Sequence, residues 1–307
     1  MDTAVQLGSP LPRRGAHRKL KWTGWLLFLP FAVVFAATVI LPLGYAVGLS
    51  LFRSQFIGGV QFAGMANYVA ALTDPALYAG LGRVMLFMLI QIPVILVLAL
   101  GVSMALDSGR LAFASVFRLG IFIPYAIPTV VAALMWGYMY GDQFGLIAQA
   151  ADALSVPAPN MLSPELIIPA MANISVWQFT GYNMLIFYAA LQSIPRDLYE
   201  AAALDGAGQF RIAWSIKLPA LVPAILLAAF FSAIGGIQLF TEPSILQSLA
   251  PTTIVSDYTP AMYMYNLAVK GSRYEYSAAI AVTLGVATIA LVLIAQIVVA
   301  RRARRAL

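Results

Sequence analysis

Six stretches of this 307-residue chain run for more than 20 residues without a charged side chain. A helix that crosses a bilayer needs about 20 apolar residues, and its backbone polar groups must be satisfied inside the segment. Hydrophobic residues make up 62% of the chain and charged ones 10%, against about a quarter charged in soluble domains. The sequence therefore predicts an all-α membrane protein with six transmembrane helices, within Trp22–Phe52, Val84–Leu106, Leu119–Gly141, Leu166–Pro195, Leu218–Thr241 and Tyr276–Ala300.

The basic residues predict the orientation of these helices. If the N-terminus lies in the cytoplasm, 14 of the 18 Lys and Arg residues fall on the cytoplasmic side, as the positive-inside rule requires. Both termini are then cytoplasmic, and the basic balance reflects topology, so no nucleic-acid partner is expected. The uncharged interval Ser54–Thr73 contains several Gly, Gln and Asn residues; we therefore expect an external loop there.

The domain organisation follows from this layout. Residues 1–21 form a basic cytoplasmic tail, residues 22–300 a single transmembrane domain, and residues 301–307 a second basic cytoplasmic tail. The polar segment 195–219 lies between two long uncharged runs, on the cytoplasmic side of this domain.

The composition argues against several kinds of chemistry. The chain has no cysteine and one histidine, His17 in the N-terminal tail, so no metal site is expected. The predicted helix centres carry no ionisable side chain, which weakens an ion-coupled secondary transporter and a membrane-embedded enzyme. Both stay open as alternatives, because Asp205 and Glu242 lie near predicted helix ends.

The segment LYEAAALDGAGQFRIAWSIKLP (Leu198–Pro219) has the pattern of two short helices joined by a bend. Pro195 can begin the first helix, and Gly206 can end it by adopting a positive φ. A second helix is expected over Gln209–Ser215, and Pro219 can open the next span. The small residues and the charges suit a docking surface for a soluble protein, while an amphipathic helix lying on the membrane is the alternative.

The residues of this segment resemble the EAA loop of ABC importer permeases. Glu200, Ala201 and Ala202 are followed at the family's spacing by Gly206, and then by Ile216, Leu218 and Pro219. The longer stretch ALQSIPRDLYEAAALDGAG (Ala190–Gly208) is similar to the carbohydrate-uptake branch, which includes the maltose and glycerol-phosphate permeases with the MetI-like fold. FAGMANY (Phe62–Tyr68) and FIPYAIP extend the resemblance over most of the chain.

The resemblance implies a set of partners and a role for each residue of the loop. The loop would sit in a cleft of a cytoplasmic ATPase, with Glu200 paired to a basic group and Gly206 allowing the bend. Two ATPase copies, a second permease related by a pseudo-two-fold axis and an external solute-binding protein are implied in a bacterial inner membrane. No G-x-x-x-x-G-K-[ST] motif occurs in the chain, so ATP and Mg are expected on the ATPases. The implied coupling residues are Glu200, Ala201, Ala202, Asp205, Gly206, Ile216, Leu218 and Pro219.

The resemblance also points to three middle helices as the substrate pathway. Tyr125 and Thr129 are four residues apart, which places them on one face if the helix is continuous. Neutral hydroxyls, amides and rings suit an uncharged di- or oligosaccharide, with glycerol-3-phosphate or another polar solute as the alternative. The same groups can equally bind a neighbouring helix. The candidates are Tyr125, Thr129, Ser175, Gln178, Phe179, Tyr182, Ser232, Gly236, Gln238 and Leu239.

Overall fold

The computed structural model describes residues 16–305, except residues 56, 110, 143 and 144. This part of the chain is almost entirely helical, with one short β-hairpin. In its first half the elements are α1 (Ala16–Phe35), α2 (Leu41–Ser50), β1 (Phe52–Gln55), β2 (Gly59–Phe62), α3 (Ala66–Leu72), α4 (Pro75–Asp107), α5 (Ala114–Phe122), α6 (Thr129–Met139) and α7 (Leu146–Ala153). The second half contains α8 (Ile167–Gln192), α9 (Arg196–Leu204), α10 (Gln209–Ile212), α11 (Leu218–Ile237), α12 (Thr241–Leu246), α13 (Pro260–Tyr265) and α14 (Tyr274–Arg305).

The first predicted span lies at the edge of the bundle. A π-helical turn, Ala36–Ile40, joins α1 to α2, so the helix runs without a break to Ser50. From Gly24 onward its side chains are exposed or half-buried until Ser50, where the end of α2 packs near α14. An apolar surface of this kind faces lipid in a membrane protein.

The loop predicted over Ser54–Thr73 does not cross the membrane, but it is folded. Strands β1 and β2 pair antiparallel, with Phe52 opposite Phe62, and α3 follows. Asn67 of the FAGMANY stretch is buried, and its amide donates to the carbonyl oxygens of Ser50 and Phe52 at 2.8 and 2.7 Å. The asparagine thereby ties α3 to the end of the first span.

The core of the molecule is the pair of helices α4 and α8. Helix α4 has 33 residues, which is about 50 Å at 1.5 Å per residue and longer than the hydrocarbon layer. Half of the residues of α8 are buried, and α8 packs against α4, α5, α6 and α11. The polar side chains of α8 are therefore shielded from lipid by other helices.

Four helical runs of the described chain are long and apolar enough to cross a membrane: Gly24–Ser50, Pro75–Asp107, Gln209–Leu246 and Tyr274–Leu293. A fifth crossing results if the bent pair α5 and α6 counts as one span. Helix α8 has the length of a span, but its composition is too polar to belong to this set. The count of six spans and their orientation stay predictions.

The stretch Leu119–Gly141 is not one helix, in contrast to the expectation. Helix α5 passes through a 3-10 turn, Ile123–Ala126, and the chain then bends by 97° into α6. Pro128 has no amide hydrogen and disfavours helical dihedrals in the residue before it, and Ile127 is extended with ψ 128°. The carbonyl of Ile127 accepts a hydrogen bond of 2.7 Å from Gln178 Nε2.

Three predicted boundaries differ from those in the structure. Helix α1 begins at Ala16 and α14 continues to Arg305, so the described parts of the tails 1–21 and 301–307 are helical. Residues 1–15 and 306–307 lie outside the described chain. Pro219 does not open a separate helix, because α10 continues through a π-helical turn, Ala213–Lys217, into α11.

Candidate functional site

A cavity of about 380 Å³ lies among α4, α8, α11, α12 and the bend between α5 and α6. Gln91, one of its lining residues, is 16 residues from each end of α4. The cavity is therefore near the middle of α4, about 24 Å from each end. This is the depth at which membrane transporters place their substrate sites.

The bend and the helices bring together most of the residues that the sequence singled out. Nine of the ten candidates line the cavity. Gln178 is the exception, and its amide donates a hydrogen bond to the Ile127 carbonyl instead. Tyr125 and Thr129 meet across the 97° bend rather than along one helical turn, so the reason given for their proximity is wrong. The nine are Tyr125, Thr129, Ser175, Phe179, Tyr182, Ser232, Gly236, Gln238 and Leu239.

Aromatic rings form one wall of the cavity. The rings of Tyr125 and Tyr182 stack with centroids 4.8 Å apart and planes 18° from parallel. The ring of Phe179 meets Tyr125 edge-on at 6.0 Å. A stacked pair with one exposed face gives a flat apolar surface, against which the C–H faces of a pyranose ring can pack.

Sequence reasoning missed eight residues of the lining. They are Phe87, Gln91, Asn183, Phe231, Gly235, Phe240, Thr241 and Glu242. Gln91 could have been found, because it is the only amide side chain in the uncharged interval Val84–Leu106. It is 5% exposed, and its Oε1 has no hydrogen-bond partner.

Glu242 contradicts the expectation that acidic side chains lie only outside the middle of the bundle. Helix α11 ends at Ile237, and the irregular residues that follow turn the start of α12 into the cavity wall. Glu242 is 6% exposed, and its Oε1 accepts a hydrogen bond of 3.0 Å from Ser175 Oγ. The pair Gly235–Gly236 directly before this break is the one local signal for it, while the absence of charge in Leu218–Thr241 favoured a single span.

Two glycines let helices approach closely beside the cavity. A Cβ atom on Gly181 would lie 2.1 Å from the carbonyl oxygen of Ile121, so α5 packs against bare backbone of α8. A Cβ atom on Gly236 would lie 2.4 Å from Cγ of Met88. Gly236 therefore lets α11 contact α4 at the cavity.

The segment predicted for coupling forms a helix, a bend and a second helix. Gly206 has φ +80° directly after α9, and the amide of Ala207 donates to the Ala202 carbonyl at 2.9 Å. This is the Schellman arrangement, which ends a helix sharply at a glycine. Of the eight coupling residues, Glu200, Ala201, Asp205, Gly206 and Pro219 are exposed, while Ala202, Ile216 and Leu218 are half-buried.

Apolar side chains are also exposed on this segment. Leu204 is 89% and Phe210 83% exposed, and the Phe210 ring stacks on Trp214 at 6.4 Å. Contiguous exposed apolar side chains indicate an interaction surface. Beside them a cleft of about 310 Å³ is lined by Glu200, Tyr199 and Arg196.

An ion pair fastens this segment to the ends of the long helices. Lys217 Nζ lies 2.6 Å from Asp107 Oδ2, and both side chains are less than 10% exposed. Gln192 Nε2 donates to the other oxygen of Asp107 at 2.9 Å. The Lys217 ammonium also lies 5.2 Å from the centre of the Tyr199 ring. Burial, and then the Asp107 carboxylate, raise the pKa of the Tyr199 hydroxyl.

A second polar cluster lies at the opposite end of α4. Asp74 caps α4 and accepts hydrogen bonds from the hydroxyls of Tyr263 and Tyr276 at 2.7 and 2.6 Å. Burial opposes ionisation of Asp74, but these hydrogen bonds and those from the amides of Ala76 and Leu77 hold its pKa below the ordinary 3.8. Burial, and then Asp74, raise the pKa of Tyr263 to about 12. The cluster joins the start of α4 to α13 and α14.

These features define a class of protein. Apolar helices of spanning length, a cavity at mid-depth and an exposed segment with polar and apolar side chains at one end are typical of a multi-pass membrane transport protein. The described residues contain no group of His, Cys, Asp and Glu that could hold a metal ion.

The model of the family described as "Binding-protein-dependent transport system inner membrane component" matches residues 97–306. The match covers more than half of the chain, and the chain belongs to this family. It is therefore a multi-pass component of the inner membrane, and the resemblance noted from the EAA spacing is confirmed.

Named relatives and solved structures agree with this assignment. The chain is 30% identical to the sulfoquinovosyl glycerol transport system permease protein SmoG of Agrobacterium fabrum, over 86% of this chain and 89% of that protein. It is 32% identical to the trehalose/maltose transport system permease protein MalF of Thermococcus litoralis, over 80% and 83%. A chain of the crystal structure of a bacterial alginate ABC transporter, in complex with an alginate pentasaccharide-bound periplasmic protein, superposes with a TM-score of 0.76 at 22% identity. The superposition covers 92% of this chain and 96% of that one and shows a shared fold.

Proposed function

We propose that this chain is a permease subunit of an ATP-driven importer, through which a di- or oligosaccharide passes from an external binding protein into the cytoplasm. The mid-depth cavity carries the proposal, because it combines stacked rings with hydroxyl and amide side chains. Rings pack on the faces of a sugar while amides and hydroxyls bind its OH groups. The relatives' names support a sugar, since they include diacetylchitobiose, trehalose/maltose and lactose systems.

The proposed partners come from the family to which the chain belongs, and the exposed segment 195–219 supports them. The segment 195–219 exposes Glu200 and the apolar side chains Leu204 and Phe210, and it is rigidly tied to α4 through Lys217. One copy of a cytoplasmic ATPase would dock there and a second copy on the partner permease; the two ATPases would bind ATP and Mg and carry out all hydrolysis. A second permease related by a pseudo-two-fold axis would complete the pathway. Six spans with both termini in the cytoplasm would place this segment on the ATPase side.

One alternative substrate is weakened by the cavity. Glycerol-3-phosphate is a dianion, and a phosphate site draws on Arg, Lys or helix N-termini. No Lys or Arg is among the described residues that line the cavity. Its walls suit a neutral solute better than a phosphate ester.

Glu242 gives the ion-coupled secondary transporter one specific observation in its favour. A buried carboxylate beside a solute cavity is the group that such a transporter uses to bind a proton or cation. Among the described lining residues, however, no second carboxylate or Lys, Arg or His accompanies it. The exposed docking segment also has no role in that mechanism.

The decisive experiment purifies the chain with its co-encoded neighbours and reconstitutes the complex into vesicles. A panel of neutral saccharides with the co-encoded binding protein should stimulate ATP hydrolysis and drive uptake that stops without ATP. Uptake that follows an imposed proton or sodium gradient, with no ATPase in the purified complex, would refute the proposal in favour of the secondary transporter.

A further inference from the structure

Glu242 is the only carboxylate among the described residues that line the cavity, and none of them is a Lys, Arg or His. In the described part of the chain, the one recorded ion pair joins Lys217 to Asp107, far from Glu242 along the helices. The charge of Glu242 is thus not balanced by a cation. The side-chain hydrogen bond recorded for its carboxylate comes from Ser175 Oγ.

The backbone amide of Glu242 also donates to this buried carboxylate, so two donors from the protein reach it. An ionised carboxylate offers about four acceptor sites, and these two hydrogen bonds leave about half of them open. A solute rich in hydroxyl groups can supply the missing donors, since every sugar OH donates one hydrogen bond. A solute with its own carboxylate brings a like charge into a low-dielectric cavity, where two charges repel strongly.

A second observation indicates that the cavity is built for a donor-rich solute. The carbonyl oxygen of Gln91 has no hydrogen-bond partner although the residue is 5% exposed and lines the cavity. Buried polar atoms usually have hydrogen-bond partners, and an unpartnered acceptor on a cavity wall can accept a hydrogen bond from a solute. Gln91 on α4 and Glu242 on α12 therefore present acceptor atoms from two sides of the same space.

We propose that Glu242 is the residue that sets the charge selectivity of this pathway: it accepts hydrogen bonds from neutral saccharides and excludes acidic ones. The inference rests on the proposed function and sharpens it, because it assigns the substrate class to one side chain. Gln91 supplies the second acceptor, and the ring pair Tyr125 and Tyr182 supplies the apolar surface. These three elements favour an uncharged pyranoside.

The test compares three disaccharides that differ only at C6. The probes are α-1,4-galactobiose, α-1,4-digalacturonate and the neutral dimethyl ester of the latter, at millimolar concentration and pH 7. Binding to the purified permease complex, without the external binding protein, is followed by saturation-transfer NMR. The variants are Glu242→Gln, which removes the charge and keeps the shape, and Glu165→Gln as a control, since Glu165 is exposed and outside the cavity.

The wild-type complex and Glu165→Gln should bind galactobiose and the dimethyl ester, and should bind digalacturonate at least about 100-fold more weakly. In Glu242→Gln the acidic and neutral disaccharides should bind within about threefold of each other. The comparison of digalacturonate with its neutral dimethyl ester uses the wild-type complex alone, so the inference stays testable if Glu242→Gln does not assemble.

Three results would overturn the inference. They are wild-type binding of digalacturonate as tight as that of galactobiose, continued exclusion of the acid by Glu242→Gln, and no detectable binding of any probe to the wild type. The vesicle uptake assay judges the proposed function separately. Sugar uptake with no charge selectivity would remove the role of Glu242 and leave the importer assignment intact.

Discussion

The ion pair between Lys217 and Asp107 gives the sharpest prediction about stability. Replacing Lys217 with Met keeps much of the side chain's bulk and removes the ammonium group, which leaves Asp107 buried with Gln192 as its remaining recorded donor. The pair connects the π-helical turn before α11 with the end of α4. We expect this single change to weaken the attachment of the docking segment more than any substitution of an exposed charge.

The magnitude follows from the distance and the burial. Unit charges 2.6 Å apart attract by about 6 kcal/mol at an effective dielectric constant of about 20. The cost of burying both charges offsets much of this attraction, but removing one partner leaves the other uncompensated and costs about 3–5 kcal/mol. Since Gln192 still donates to Asp107, we expect about 3 kcal/mol for Lys217→Met.

The assay is denaturant unfolding of the detergent-solubilised protein, followed by tryptophan fluorescence. Arg211→Met is the control, because Arg211 is an exposed basic residue of the neighbouring α10 and should cost at most about 0.5 kcal/mol. The reversed pair, Asp107→Lys with Lys217→Asp, should recover at least half of the loss, because Gln192 can present its oxygen instead of its nitrogen. A loss in Lys217→Met no larger than that in Arg211→Met would refute the reasoning.

Three further predictions use other parts of the structure. Gly181→Ala should lower the free energy of unfolding by about 2–3 kcal/mol, because α5 would have to move away from the new methyl group. Gly235→Ala, with open space around it, should change the free energy of unfolding little. Equal effects of the two substitutions would contradict the packing described for Gly181. Hydrogen bonds hold the pKa of Asp74 below its ordinary 3.8, so the stability that its charge contributes is complete only well above pH 3.8, declines as the pH approaches that value and is lost as the pH falls through the lower folded pKa. Unfolding measured from pH 7 to pH 3 should show a steeper loss in the wild type than in Asp74→Asn. Glu200→Ala and Gly206→Pro should leave the sugar cavity intact but reduce uptake per ATP hydrolysed by about tenfold, and normal coupling in both would rule out docking at this segment.

The sequence was informative wherever one local rule determines the structure. Uncharged runs predicted the long apolar helices, and the positive φ of Gly206 followed from a glycine placed after an alanine-rich helix. The three stretches chosen for the pathway meet at one cavity because each contributes polar and aromatic side chains to an otherwise apolar segment.

Other features depend on contacts between distant residues, which the local sequence does not identify. At the bend before Pro128 the carbonyl of Ile127 accepts its hydrogen bond from Gln178, 50 residues after Pro128. Gln178, which was predicted to contact substrate, therefore binds the backbone of the bend. The placement of Glu242 in the cavity depends on how the chain turns after the end of α11, and the glycines Gly235 and Gly236 before that end do not determine the direction of the turn. The partner of Lys217 is 110 residues earlier in the chain, and charge spacing within the docking segment could not identify it.

The polarity of α8 has a consequence for how the chain enters the membrane. Insertion of a helix depends on its apolarity, and α8 exceeds the length of a span without the composition of one. Helix α4 is synthesised about 90 residues earlier and is strongly apolar. During synthesis α8 can therefore pack on the face of α4 as it enters the membrane, instead of contacting lipid. The polar side chains of α8 thus make its insertion depend on α4, so the order in which the two helices enter the membrane is part of the folding of the protein.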